Sequence, residues 1–232
     1  MPTEEIIRGL TVETLAKLID HALLVPDHTV EDVERVCQEA IGYGFHTVFV
    51  APYDVGRVAK LLHGTDVLAG GTVGFPFGYS GLDVKREEAA RCIEAGAGEV
   101  DMVINLVAMK SGRYADVRDE IAAVRKVTTG CCLKVILECC YLSDEEKARA
   151  CELALEAEAD FVKTSTGFGP GGAAVHDVRI LRQTVGDRAG VKASGGIRTF
   201  HDVSEMVRAG ASRIGTSAGV RIIEDFQNRE DE

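Results

Sequence analysis

Eight short apolar runs recur along the chain, and amphipathic stretches separate them from end to end. The runs are "LIDHALL", "TVFVAP", "VLAGGTVGF", "EVDMVIN", "LKVILE", "FVKTST", "VKASGG" and "RIGTSAG". Helical periodicity fills the gaps, most clearly at 82–95, 113–128, 144–158, 176–185 and 201–209. Joins such as "YGFHTVFV" and "AGASRIGTS" read as a helix end followed within a few residues by a strand. Eight such units in 232 residues give about 29 residues each, within reach of a compact (β/α)₈ barrel. No linker or low-complexity segment divides them. The expectation is one barrel domain over 1–232 with a short N-terminal helix, the alternative being a doubly wound open sheet.

Charge and composition exclude several functions. A net charge of −11 argues against a broad nucleic-acid-binding face. No apolar run reaches the roughly 18 residues that a membrane-spanning helix needs. The N-terminus lacks a signal-peptide core, and seven cysteines without a framework of spacings point to a reducing, cytoplasmic setting. Cys131, Cys132, Cys139 and Cys140 flank "LKVILE" in pairs. Neighbours on a strand point to opposite faces, so the pairs are read as small core residues, and no metal is expected. Gly167, Gly169 and Gly172 satisfy a dinucleotide-binding spacing, but they follow the sixth strand and enclose Pro170. That motif belongs after a first strand, so it is set aside.

Strand alternation sorts the polar residues. In "EVDMVIN", Val100, Met102 and Ile104 suit the helix layer, leaving Asp101, Val103 and Asn105 toward the barrel axis. In "LKVILE", Lys134, Ile136 and Glu138 face in. Lys163 and Ser165 share a face with Phe161, Lys192 and Ser194 point inward, and Asp20 can join them. Lysines and carboxylates therefore converge on one axis. A purely structural ion-pair network is the competing reading, but glycine loops beside the lysines favour an active site at the C-terminal mouth.

Two lysines on adjacent strands, which lie about 4.8 Å apart, hold their amines about 5 to 6 Å apart. At an effective dielectric near 20 their repulsion is worth about 3 kcal/mol, or roughly two pKa units, and desolvation adds to it. An amine freed of its proton attacks carbonyls and forms an imine, an electron sink that lets C–C bonds form or break. Either Lys163 or Lys192 fits the nucleophile on this argument, with Asp101 as proton shuttle. "SGGIRTF" and "GTSAGV" follow the last two strands, where barrels hold phosphate. Gly195, Gly196 and Gly215 let backbone N–H groups approach an anion, and Ser217 adds a hydroxyl.

With these residues placed, the chain resembles the deoxyribose-phosphate aldolase family. The resemblance is carried by "VGFPFG", "EVDMVIN", "LKVILE", "FVKTSTGF" and "VKASGGIRT" in that order and spans nearly the whole chain. It implies a (β/α)₈ barrel that reversibly cleaves 2-deoxy-D-ribose 5-phosphate to D-glyceraldehyde 3-phosphate and acetaldehyde. It further implies that Lys163 forms the Schiff base, that Lys192 lowers its pKa, and that Asp101 joins Lys192 in proton transfer. Phosphate contacts are implied at Thr166, Gly167, Gly195, Gly196, Gly215 and Ser217. No cofactor is implied; the expected partner is a sugar phosphate, and the expected assembly a homo-oligomer. Phe49, Ala22 and Ala218 depart from common family residues. The alternatives are a phosphate-binding isomerase using Asp101 as base, a different sugar-phosphate aldolase, or a non-catalytic binder.

Overall fold

The computed structural model describes residues 7–230. Eight strands, β1 (Ile19–Leu23), β2 (Thr47–Val50), β3 (Leu68–Val73), β4 (Glu99–Val103), β5 (Cys132–Ile136), β6 (Phe161–Lys163), β7 (Gly190–Ser194) and β8 (Arg213–Thr216), pair in parallel in chain order. β8 pairs with β1 and closes the barrel, excluding the open-sheet alternative. The five helices expected from periodicity fall at Leu82–Glu94, Tyr114–Val127, Asp144–Glu156, Val175–Val185 and Phe200–Ala209. A short helix, Val12–Ala16, precedes β1 and starts from a Thr11 capping box. The first six residues of the expected N-terminal helix lie outside the described residues.

Local chemistry sets these boundaries. Thr29 with Asp32, Ser143 with Glu146, and Thr199 with Asp202 form reciprocal capping boxes that satisfy the first free N–H groups of their helices. Gly44 and Gly210 end two helices at φ +71° and +112°, where a side chain would be strained.

The outer strand faces pack against the helices. Val100, Met102, Ile104, Leu133, Val135, Leu137, Val162, Val191 and Ala193 belong to that continuous core, as alternation requires. Asp101, Lys134, Lys163 and Lys192 are buried on the other face. Register aligns them: Asp101 opposite Lys134, Lys163 opposite Lys192, and Lys192 opposite Arg213. Asn105 departs from the expectation. β4 stops at Val103, and the Asn105 side chain accepts a hydrogen bond from Ala108 N as the cap of a short helix, Leu106–Lys110. Its carbonyl satisfies a free helix N–H more effectively there than along the axis. Cys139 and Cys140 also lie on a 3₁₀ turn, Cys139–Tyr141, rather than on a strand. Cys139 is buried and Cys140 exposed, so only the former is a core residue.

Gly190 opens β7 where a Cβ would lie 2.1 Å from the Phe161 ring. Gly190→Ala is expected to destabilise the protein by about 1–3 kcal/mol, measured by denaturant unfolding, because the ring sits inside a packed barrel and must shift to admit a methyl group.

Candidate active site

Consecutive parallel strands β4 to β7 carry Asp101, Lys134, Lys163 and Lys192 on their inner faces, and the long lysine side chains meet at the one carboxylate. Lys163 Nζ and Lys192 Nζ each lie 2.7 Å from Asp101 Oδ2, and Lys134 Nζ is 3.2 Å from Oδ1. Lys192 also reaches Asp20 Oδ2 at 2.5 Å. All these groups are buried. Sharing one oxygen brings the two amines of Lys163 and Lys192 together as the sequence spacing implied.

Burial and charge act in opposite directions on each group. Burial alone would raise the Asp101 pKa, but the ammonium groups of Lys134, Lys163 and Lys192 outweigh it and hold the carboxyl well below the usual range. For Lys134, burial is outweighed by Asp101, Asp20 and Glu99, so it remains firmly an ammonium. Lys163 moves the other way. Burial is the leading cause, the Lys192 and Lys134 charges add to it, Asp101 opposes them, and the amine falls to about 8. Repulsion between the lysines was expected to lead; in the folded protein desolvation does, because β6 carries the amine fully into the barrel. Near pH 7 about a tenth of the molecules then carry a neutral Lys163, against roughly one in 2,500 for a free lysine.

Above the amines a cavity of about 380 Å³ opens at the C-terminal mouth. Lys163, Lys192, Thr166, Gly167, Gly195, Gly196, Gly215 and Ser217 all line it, and Asp101 lies buried beside Lys163 and Lys192. A larger, open groove of about 870 Å³ at the opposite end, along Glu156, Asp160, Asp187 and Arg188, has no comparable convergence of buried charges. Gly167, Gly195 and Gly196 adopt φ of +89°, +92° and +82°, so both mouth loops turn as only glycine does easily. The loops touch at Gly172 and Gly195: a Cβ on Gly172 would lie 2.3 Å from Gly195 O. Two glycines of the discarded nucleotide spacing therefore serve loop contact, since Gly169 likewise packs against Glu138 and Cys140.

Two expected phosphate residues have further roles. A Cβ on Gly215 would lie 2.9 Å from Lys192 Cε, so this glycine makes room for the lysine stem. Thr166 donates its N–H to both Glu138 carboxylate oxygens at 3.2 Å, and its hydroxyl also donates to Glu138 Oε2. The same hydroxyl accepts from Phe168 N at 3.0 Å. Thr166 thus builds the loop, and its donors are committed to Glu138. Glu138 itself sits at φ +53° and is buried, which raises its pKa against the Thr166 hydrogen bonds. Arg198, Thr216 and Phe168 line the cavity without having been singled out. Arg198 follows the glycine pair in "SGGIRTF", and that adjacency of a cation to an anion-binding turn was the available signal.

Fold and site together define an enzyme-like barrel with a buried, partly neutral amine at its C-terminal mouth. The chain belongs to the DeoC/LacD family of aldolases, whose model matches residues 14–223. It is 50% identical over 218 residues to the deoxyribose-phosphate aldolase of Caldanaerobacter subterraneus subsp. tengcongensis, covering 93% of this chain and 94% of that protein. The deoxyribose-phosphate aldolase of Thermococcus gammatolerans is 52% identical over 220 residues, covering 93% and 98%. Among solved structures, the tetrameric deoxyribose phosphate aldolase of Aeropyrum pernix superposes with a TM-score of 0.91 at 35% identity, covering 98% of this chain and 97% of that one.

Proposed function

We propose that this chain reversibly cleaves 2-deoxy-D-ribose 5-phosphate into D-glyceraldehyde 3-phosphate and acetaldehyde, with Lys163 as the imine-forming residue. The observation that carries the reading is the position of Lys163 Nζ, buried, depressed to about 8 and sharing Asp101 Oδ2 with Lys192. Relatives at about half identity over nearly the whole chain support the substrate.

Neutral Lys163 attacks C1 of the open-chain aldehyde. The carbinolamine loses water, with Lys192 and Asp101 moving the protons, and a protonated imine forms. The C3 hydroxyl then gives up its proton as the C2–C3 bond breaks, and the bonding pair flows into the imine as an enamine. D-glyceraldehyde 3-phosphate leaves, C2 takes a proton, and water hydrolyses the imine to release acetaldehyde and free Lys163. Gly167, Gly195, Gly196 and Ser217 form the rim toward the substrate phosphate, with Arg198 as the cation beside it. A homo-oligomer in the cytoplasm completes the proposal, supported by the tetrameric relative and by seven unpaired cysteines.

The test is borohydride reduction in the presence of 2-deoxyribose 5-phosphate, followed by peptide mass spectrometry. A reduced two-carbon or sugar-phosphate adduct is expected on Lys163. An adduct on Lys192 instead would reassign the nucleophile, and turnover with no adduct would favour a non-covalent isomerase.

A further inference from the structure

Below the cavity, six charged side chains from β1, β4, β5, β7 and β8 close on themselves. Lys192 meets Asp20 Oδ2 at 2.5 Å, Asp20 Oδ1 meets Arg213 Nη1 at 2.9 Å, and Arg213 meets Glu99 Oε2 at 3.3 Å. Glu99 Oε2 meets Lys134 at 2.5 Å, Lys134 meets Asp101 Oδ1 at 3.2 Å, and Asp101 Oδ2 returns to Lys192 at 2.7 Å. Signs alternate around this circuit, so three cations balance three carboxylates. Lys163 stands outside it, attached only through the Asp101 oxygen that Lys192 already occupies. It is the amine for which the barrel provides no carboxylate of its own.

The ring of Phe49 reinforces the asymmetry. Its centroid lies 4.0 Å from Lys192 Nζ and 4.4 Å from Lys134 Nζ, but 6.0 Å from Lys163 Nζ. The negative face of the ring therefore favours protons on the two circuit lysines over Lys163. Glu99 and Arg213 do not line the cavity. Glu99 is instead held from below by His46 Nε2 at 3.1 Å and by the Thr47 hydroxyl at 3.0 Å.

We propose that Glu99 and Arg213 are positioning residues of the reaction, which fix Lys163 as the neutral amine by keeping the charge of the interior circuit balanced. The proposal rests on the reading of Lys163 as the imine-forming residue. Every charged group facing that amine is then accounted for. Asp20 comes from β1, Asp101 and Glu99 from β4, Lys134 from β5, Lys192 from β7 and Arg213 from β8, while β2 and β3 present Phe49 and Gly70. Glu138, beyond β5, takes the Thr166 hydrogen bonds, also feels the Lys163 charge, and is common to every variant compared. The Cys132 thiol near Lys134 is pushed by burial up to about 12 and stays neutral.

The experiment is the pH dependence of kcat/KM, paired with the pH dependence of borohydride trapping by acetaldehyde. In the native protein both are expected to rise as Lys163 loses its proton, near pH 8. Arg213→Met leaves the circuit one negative charge in excess, and the acid limb is expected to move up by about one pH unit, a tenfold loss below the limb. Glu99→Gln leaves an excess positive charge and moves the limb down by a similar amount. The double variant Arg213→Met/Glu99→Gln restores balance and returns the limb toward its native position, although more ion pairs have been removed. Lost packing would lower activity without moving the limb, and would add up in the double variant. Stationary limbs in the single variants, or a double variant no closer to native than either, would overturn the proposal. The two single variants move in opposite directions, so one that folds suffices for the first criterion. Failure to trap Lys163 in the native protein would instead sink the reading of Lys163 as the imine-forming residue, independently of any shift.

Discussion

Lys163→Met is expected to lower kcat/KM for 2-deoxyribose 5-phosphate cleavage by on the order of 10⁴-fold or more, while making the protein harder to unfold. The first effect follows from the loss of the buried amine at the cavity floor whose pKa is lowered to about 8. The second follows from linkage. The Lys163 amine ionises near 8 in the folded protein instead of at its ordinary 10.5, so the folded state binds fewer protons than the unfolded chain between those values. Stability from this group therefore rises with pH through that window, and its cost is at full size at pH 7, on the order of 3 kcal/mol. Methionine fills similar space without an ammonium to desolvate. Asp101 keeps two other cations, so the net gain is expected at roughly 1–3 kcal/mol, read from the denaturant midpoint at constant m. A variant that is both inactive and less stable would show that Lys163 supports the fold more than it strains it.

Asp101→Asn is expected to do the reverse on stability and to damage activity as well. The amide still accepts a hydrogen bond, but it cannot balance Lys163, Lys192 and Lys134, which crowd the carboxylate at 2.7, 2.7 and 3.2 Å. Leaving buried ammonium groups without their partner costs about 3–5 kcal/mol. On the proposed role of Asp101 in proton transfer, kcat is expected to fall by a further 10²–10⁴-fold, approximately. Because the Asp101 carboxyl is held well below its ordinary value, its contribution to stability is complete above the unfolded carboxylate pKa, about 3.9, and disappears as the pH falls. Acid titration of unfolding should thus be shallower below pH 4 in the variant than in the native protein. Equal acid slopes would exclude Asp101 as the carboxylate that the cluster depends on.

Periodicity alone was enough for the eight strands and, within two residues, for the bounds of the five helices read from it, because each strand carries an apolar series for the helix layer. The same alternation put Asp101, Lys134 and Lys192 on the inner face. It was applied too narrowly at the strand starts: Glu99 stands two residues before Asp101, and Arg213 two before Gly215, so both share the inward face. Reading each strand from its first residue would have found them. Asn105 failed for a different reason, since local cap chemistry ended the strand before its turn in the alternation came. The sharing of one Asp101 oxygen by two lysines was out of reach of any pattern. It depends on barrel radius and strand tilt, which register and side-chain volume set together. Likewise, "FVKTSTGF" shows a threonine beside a glycine, but not that Glu138, 28 residues earlier in the chain, takes both Thr166 donors.

Asp20 and Arg213 lie 193 residues apart in sequence and meet only where β8 docks on β1. Until that seam forms, Lys192 lacks its second carboxylate and the interior carries charges with open valences. A chain emerging in order from N- to C-terminus therefore carries Lys163, on β6, before the surroundings that tune it exist. Competence for chemistry arrives with the last strand, so the appearance of a reactive amine serves as a clock for completion of the fold. A pool of truncated or half-folded chains would contain the lysine yet have little capacity to capture aldehydes.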